Sequence, residues 1–244
     1  VAERTAVPVP AVLASGTRDG DGYALFERAP GRDLHEVFST LAPARQQAIA
    51  RTFGRSLAAL HGAFHFERCG AVTAAGEGFA ATGPDDCAAW LGTHARKGVA
   101  ALPSAFDAQR DRLLAAFETM PVPEGPPRLY PWDLRPGNAL VADGSVTAVV
   151  DWGGPLSAPP GVALAKVEHL VADWYAADPA PLAEALRGGY RSVRPLPAVP
   201  DEYRLLAVVR SAVDSRGEVT RPRYPELTGA DAVAFHRERI AALL

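Results

Sequence analysis

The chain has 244 residues, of which 48% are hydrophobic, and its formal net charge is −3. It is long enough for one large domain or two lobes with a sizeable core, and its composition is that of a folded protein. The small negative charge does not favour nucleic acid or an acidic membrane as partner, no apolar run approaches the roughly 18 residues of a membrane helix, and no signal peptide is recognisable, so we expect a cytoplasmic protein.

The N-terminal part predicts a short β-rich region. Residues 1–6 resemble the end of a helix, and residues 11–15 and 22–28 predict two strands joined by a polar turn at 16–22. The loop at 29–32 contains Pro30 and Gly31 and cannot continue a strand. Because the chain begins with Val1 and its sole methionine is Met120, we expect that a preceding segment is missing from this sequence.

Most of the remaining chain predicts helices. The clearest spans residues 43–62, where Ile49, Phe53, Leu57 and Leu60 share one face and Gly62 provides the stop. Further helices are predicted at 85–97, 104–119, 162–175, 180–190, 201–214 and 229–244, with a Pro-rich connector at 121–127.

Two local features predict no function of their own. Cys69 and Cys87 are too few for a disulfide framework and lack metal-ligand spacing, so we expect packed thiols. Residues 76–81 match Gly-x-Gly-x-x-Ala, but with no convincing strand before them and no helix after them we do not expect a phosphate loop.

A β-hairpin is predicted between residues 139 and 150. Two short apolar runs, 139–142 and 145–150, are joined by Asp143-Gly144, a strong signal for a two-residue turn. In that register Asn138 lies opposite Val149, so Asn138 and Asp151 emerge together at the open end of the hairpin.

Asp133 precedes this hairpin on a loop that Pro136 keeps from becoming regular. A loop aspartate can accept the proton of an attacking hydroxyl. Asn138 and Asp151 supply the oxygen ligands that suit Mg²⁺ bound to nucleotide phosphates. The spacing Asp-x4-Asn-x12-Asp therefore indicates phosphoryl transfer.

These residues resemble the catalytic loop and metal-binding segment of the aminoglycoside phosphotransferase family, a branch of the protein-kinase-like fold that also includes choline kinases. The family pattern His-Gly-Asp-x4-Asn, followed by Ile-Asp-Trp, is matched at Asp133, Asn138 and Asp151, whereas Pro131 and Trp132 replace the His and Gly. The resemblance implies an α+β fold with an incomplete N-terminal β lobe and hinge in residues 1–30. A large α-rich C-terminal lobe in residues 31–244 would contain the catalytic hairpin.

The resemblance further implies an ATP- or GTP-dependent, Mg²⁺-dependent phosphotransferase that moves the γ-phosphate to a hydroxyl of a small molecule. Asp133 would be the catalytic base, and Asn138 and Asp151 the metal ligands. The carbonyl of Glu27 and the amide of Ala29 would meet the adenine at the hinge. The sequence does not indicate the acceptor or the oligomeric state.

Arg135 lies two residues after Asp133, where many protein kinases carry a lysine that meets the transferred phosphate. Its guanidinium would either stabilise the phosphoryl oxygens, as a catalytic group, or bind a nearby acidic side chain.

Several family features are absent. The Gly-rich loop is missing, and so is the strand lysine, since Lys97 and Lys166 both follow the hinge. Ala163 stands where many relatives have an aspartate. A pseudokinase that binds nucleotide or a partner is therefore the alternative. Possible substrate contacts on the helix at 162–175 are Glu168, His169, Asp173, Trp174 and Tyr175.

A metal-dependent hydrolase that uses Asp133, Asp151 and a histidine is a third hypothesis. It is disfavoured because His61 and His65 are the only pair at close helical spacing, and Gly62 interrupts that pair.

Overall fold

The computed structural model describes residues 1–76, 78–121 and 125–244. Eight α-helices are found there: α1 Leu34–Phe38, α2 Pro43–Ala63, α3 Cys87–Ala101, α4 Arg110–Glu118, α5 Pro160–Glu168, α6 Ala180–Arg191, α7 Asp201–Val209 and α8 Gly229–Leu243. The strands are β1 Val12–Arg18, β2 Asp21–Phe26, β3 Arg32–Asp33, β4 Gly70–Ala75, β5 Gly78–Thr82, β6 Arg128–Tyr130, β7 Ala139–Ala142, β8 Ser145–Val149 and β9 Leu156–Ala158.

The N-terminal hairpin pairs β1 with β2 in antiparallel fashion and is exposed on both faces. The predicted seven-residue turn is wrong, because Asp19 and Gly20 adopt positive φ values of 54° and 92° and close a two-residue turn. The helix expected at residues 1–6 is also wrong. Those residues form a single turn, in which the amides of Arg4 and Thr5 donate to the carbonyl of Val1.

The helical core is centred on the crossing of α2 and α6. A Cβ atom at Gly54 would collide with the carbonyl of Leu186, and one at Gly189 would collide with the carbonyl of Arg51. The two backbones therefore approach as closely as they do only because each helix has a glycine at the contact.

A four-stranded antiparallel sheet, in the order β5-β4-β9-β6, lies beside the helices. The strand β4 precedes the Gly-x-Gly segment, so the expectation that no strand does so is wrong. The segment does not open a helix, since the chain continues as β5. Residue 77 of this segment and residues 122–124 of the Pro-rich connector lie outside the described residues.

Cys69 and Cys87 form a disulfide, so the prediction of packed thiols is wrong. Cys69 directly precedes β4, and Cys87 opens α3, which Asp86 caps by accepting from the amide of Ala88 at 2.8 Å. The fold thereby places the two Cα atoms 5.2 Å apart, within the usual range for a disulfide.

The predicted hairpin is formed by β7 and β8, which continue a small sheet in the order β3-β7-β8. Ala142 pairs with Ser145 as predicted, but a bulge shifts the register so that Ala139 lies opposite Val149. The predicted pairing of Asn138 with Val149 is therefore wrong by one residue. The carbonyl of Asn138 instead accepts from the amide of Val150 at 2.9 Å, which keeps the two chain segments together.

Three predicted helices differ from the observed ones. The segment at 104–119 begins as the 3₁₀ turn Ser104–Gln109 before α4, α7 ends at Val209 and not at residue 214, and α5 continues as the π-helical turn His169–Asp173. No helix in the described ranges is both long and apolar enough to cross a bilayer.

Candidate active site

The loop between β6 and β7 carries Asp133, and a hydrogen bond from Asn138 holds this loop in place. The Asn138 side chain is buried, and its amide nitrogen donates to the main-chain carbonyl of Asp133 at 2.9 Å. The main-chain N–H of Asn138 also donates to the carbonyl of Arg135 at 3.0 Å, closing the 3₁₀ turn Pro136–Asn138. Since the Asn138 side chain uses only its nitrogen here, its side-chain oxygen stays available for a ligand.

Asp151 follows β8 and has a φ of 58°, in the left-handed region. Such a conformation is uncommon for a residue with a side chain, and it is found disproportionately at functional sites. The Asp151 carboxylate is exposed, and within the described residues no cation lies within 4.0 Å of it. It lines the same cavity as Asp133.

Two cations flank the Asp133 carboxylate on different oxygens. The Nε of Arg135 lies 3.9 Å from Oδ2, and the Nζ of Lys166 lies 3.9 Å from Oδ1. Both distances exceed hydrogen-bond length, so the carboxylate keeps its capacity to accept a hydrogen bond from a hydroxyl. Arg135 also lies over the ring of Trp174, with its Cζ 5.4 Å from the ring centroid.

Lys166, on α5, is the site residue that the sequence analysis missed. It is only 1% exposed, and its Nζ lies 3.2 Å from the ring centroid of Trp132. Burial lowers the pKa of Lys166 to about 7, although the carboxylate of Asp133 opposes this shift. The available signal was a single lysine between Val162 and Val167 in an otherwise apolar helix.

Trp132, which replaces the family's glycine, lies at the centre of an aromatic and cationic cluster. Its ring centroid is 5.8 Å from that of Tyr130 and 5.9 Å from that of His94. The Cζ of Arg210, the residue directly after α7, lies 5.1 Å from the Trp132 ring centroid. Burial lowers the pKa of His94 to about 3, so this imidazole is neutral at pH 7.

The loop, α3, α5 and α7 enclose a cavity of about 660 Å³ in front of Asp133. It combines charged, hydroxyl and aromatic groups. Its charged side chains are Asp133, Arg135, Asp151, Lys166, Arg210 and Asp214.

The hinge residues lie elsewhere. Glu27 is exposed and its amide donates to the carbonyl of Ala11 at 2.8 Å, whereas Ala29 is half-buried in the following loop. Neither of them lines the cavity that contains Asp133. Their role in nucleotide binding therefore stays a prediction.

Most of the possible substrate contacts at 168–175 are engaged within the protein. Glu168 accepts hydrogen bonds from Arg187 and Arg204, and the ring of His169 is bonded to Asp173 at 2.7 Å. Of the five residues considered, only Trp174 lines the cavity of Asp133. Tyr175 is bonded to the ring of His35 at 2.6 Å.

The histidines of the hydrolase hypothesis do not form a metal site. His61 is fully buried, bonded to the hydroxyl of Tyr190 at 2.8 Å, and its pKa is lowered by burial to about 3. His65 is exposed in a bridge with Arg128. In the part of the chain that is described, no group of three or more His, Cys, Asp or Glu side chains is arranged to hold a metal.

Comparison with known proteins identifies the family and the fold. The model of the phosphotransferase enzyme family (APH) matches residues 1–206, whereas no curated protein matches the chain. Similar solved structures include a thermostable mutant of aminoglycoside phosphotransferase APH(4)-Ia without ligand. It has 18% sequence identity and a TM-score of 0.61, with 100% of this chain and 80% of that chain covered.

Two further structures show the same fold. A ternary complex of the APH(4)-Ia mutant with AMP-PNP and hygromycin B has 18% identity and a TM-score of 0.62, covering 97% of this chain and 76% of that chain. Macrolide 2′-phosphotransferase MphH from Brachybacterium faecium has 20% identity and a TM-score of 0.50, covering 100% and 75%. The predictions of fold and family are confirmed: the chain belongs to the phosphotransferase enzyme family and has the kinase-like fold of the aminoglycoside phosphotransferases.

Proposed function

We propose that this phosphotransferase moves the γ-phosphate of ATP or GTP to a hydroxyl of a small molecule, with Asp133 as the base. The observation that carries the proposal is the position of the Asp133 carboxylate. It faces the cavity without a hydrogen bond to a cation, on a loop that the buried Asn138 holds in place. A base with free acceptor capacity beside a cavity is suited to orienting an acceptor hydroxyl.

The transfer then proceeds by in-line displacement. Asp133 accepts the proton of the acceptor hydroxyl while the hydroxyl oxygen forms a bond to the γ-phosphorus. The bond from that phosphorus to the β,γ-bridging oxygen breaks, and the nucleoside diphosphate leaves with its electron pair. Because Asp133 is fixed by its own main chain and by Asn138, most of its contribution is orientation of the nucleophile.

Asn138 and Asp151 are the residues that would hold Mg²⁺. The fit is chemical: one amide oxygen and one carboxylate, both hard ligands, neither committed to a partner within the described residues. Mg²⁺ bound there would neutralise negative charge on the nucleotide phosphates. The left-handed backbone at Asp151 points to a position retained for such a purpose.

Arg135 is the second catalytic group in this proposal. Its guanidinium lies beside Asp133 but at 3.9 Å, too far to form a committed hydrogen-bonded pair. It can therefore donate to oxygens of the transferred phosphoryl group, where negative charge is stabilised by a fixed cation. The carbonyl of Glu27 and the amide of Ala29 would bind the base of the nucleotide.

Calorimetric titration of Mg-ATP and Mg-GTP into the full chain tests the nucleotide part of the proposal. We expect binding that requires Mg²⁺ and is weakened about tenfold or more by Asp151→Asn, since a carboxylate ligand is lost. Asp111→Asn is the matched control, because Asp111 is exposed on α4. Failure of the folded wild type to bind either nucleotide would instead support a pseudokinase that binds a partner.

Release of nucleoside diphosphate, measured over a panel of hydroxyl compounds, tests the catalytic part. Asp133→Asn should keep nucleotide binding and lower transfer by roughly 10² to 10⁴-fold, the usual range for a general base. Transfer by Asp133→Asn at the wild-type rate would refute the role of Asp133.

A further inference from the structure

The cavity contains two cations that make no hydrogen bond to a carboxylate of the described residues. Lys166 is 1% exposed, and its nearest carboxylate, that of Asp133, is 3.9 Å away. Arg210 is half-buried, its Nε is buried without a hydrogen-bond partner, and no carboxylate lies within 4.0 Å of it in the described ranges. Buried cations without partners are costly, and folded proteins rarely retain them without a reason.

Several other partly buried cations of the same lobe have a closer carboxylate. Arg187 and Arg204 both reach the Glu168 carboxylate, at 2.6 and 2.7 Å, and Arg239 lies 3.6 Å from Asp173. The contrast shows that this fold can supply carboxylates to partly buried cations. Lys166 and Arg210 lack so close a carboxylate, and both line the cavity.

The surroundings form a shaped site around these two side chains. Both lie against the Trp132 ring, with Lys166 Nζ at 3.2 Å and Arg210 Cζ at 5.1 Å from its centroid. Gly98 on α3 makes room for Arg210, since a Cβ there would lie 2.7 Å from the arginine Cδ. The hydroxyl of Ser211, which also lines the cavity, is buried without a hydrogen-bond partner.

The acidic groups of the cavity are already committed. Asp214 lies 3.3 Å from Arg216 and accepts from the amides of Arg216 and Glu218. Asp133 and Asp151 are needed for the base and the metal in the proposed function. A polycationic acceptor would therefore meet two cations without a hydrogen-bonded carboxylate, and no carboxylate other than those of the proposed base and metal site.

Resting on the proposed function, we propose that the acceptor carries an anionic group, a carboxylate or a phosphate, which binds Lys166, Arg210 and Ser211 while its hydroxyl meets Asp133. Lys166 lies between the acceptor's anionic group and its reacting hydroxyl, because it is the cation nearest to Oδ1 of Asp133 and contacts the same Trp132 ring as Arg210. Arg135, on the other carboxylate oxygen, remains for the transferred phosphoryl group.

The test uses the full chain saturated with Mg-ADP, so that no turnover occurs. Inorganic phosphate, L-malate and glycerol 3-phosphate are titrated by calorimetry, with glycerol as the neutral probe and kanamycin as the cationic one. We expect the anionic probes to bind, and Arg210→Gln and Lys166→Met each to weaken them about tenfold or more. Arg210→Lys, which keeps the charge, should retain part of the affinity.

Matched controls separate this effect from general loss of charge. Arg237→Gln and Lys97→Met remove exposed cations outside the cavity and should leave the binding of every probe unchanged. Each variant is checked by thermal unfolding, so that a misfolded chain is recognised.

Three outcomes would overturn the inference. The first is the failure of all anionic probes to bind the Mg-ADP complex, and the second is tighter binding of kanamycin or glycerol than of the anions. The third is a weaker affinity of Arg210→Gln for Mg-ATP with no change for Mg-ADP, which would assign the cations to the γ-phosphate of the donor. In every case intact Mg-ADP binding shows that the nucleotide site of the proposed function has not failed, and release of nucleoside diphosphate tests its catalytic part separately.

Discussion

Replacement of Lys166 by methionine should make the protein more stable and less able to bind its substrate. The lysine is 1% exposed, and burial lowers its pKa from the ordinary value of 10.5 to about 7. Methionine has a similar length and no charge, and well-packed apolar replacements of buried ions are often stabilising. The structure thus predicts a residue retained for function at a cost in stability.

The magnitude follows from the two pKa values. The unfolded chain binds the lysine proton up to about pH 10.5 and the folded chain only up to about pH 7, so the unfolded state binds more protons between these values. At about 1.36 kcal/mol per pH unit, the ammonium costs about 5 kcal/mol of stability below pH 7 and almost nothing above pH 10.5. Attraction to the Trp132 ring offsets about 2 kcal/mol of this when the pair is desolvated.

We therefore expect Lys166→Met to gain about 3 kcal/mol below pH 7, a rise in Tm of about 6 to 12 °C for a chain of this size. The gain should shrink as the pH rises from 7 to 10. Urea unfolding at several pH values measures it, with Lys97→Met as an exposed control expected to change by less than about 0.5 kcal/mol. A variant less stable than the wild type, or a difference that does not vary with pH, would refute this reasoning.

Three further predictions concern packing and the site. Gly54→Ala should destabilise the chain by about 3 kcal/mol because its Cβ meets the backbone of α6. Gly188→Ala, with open space around it, should raise the free energy of unfolding by up to about 1 kcal/mol, and thermal unfolding measures both changes. Reduction of the Cys69–Cys87 disulfide, which spans 18 residues, should cost about 3 kcal/mol, and unfolding with and without dithiothreitol tests it. Asn138→Ala should abolish Mg²⁺-dependent nucleotide binding and cost about 1 to 3 kcal/mol in urea unfolding, since a buried carbonyl loses its donor.

The hairpin of β7 and β8 could be predicted from the sequence because its signals are local. Asp143-Gly144 is a turn signal in itself, and the flanking runs are short and apolar. The register failed at Asn138 because a bulge depends on how the strands twist against their neighbours.

The cation cluster could not be predicted, because it depends on tertiary packing. Lys166 on α5 and Arg210 at the end of α7 lie far along the chain from Trp132, and only the packing of these two helices against the loop brings the side chains to one ring. The Cys69–Cys87 pairing has the same origin, since neither cysteine has a local signal for its partner. Local patterns predicted most of the helices and the hairpin after Asp133, whereas long-range packing determined which side chains surround that loop.

The Trp132 ring brings together residues 132, 166 and 210, which are far apart in the sequence. This contact has an evolutionary consequence. A homologue with glycine at the Trp132 position, as in the family pattern, would leave a lysine at position 166 buried without an aromatic face to lie on. A substitution at position 132 or at position 166 alone should therefore give an intermediate sequence that is less stable or less active. Across an alignment of relatives, the residues equivalent to Trp132, Lys166 and Arg210 should be gained and lost together.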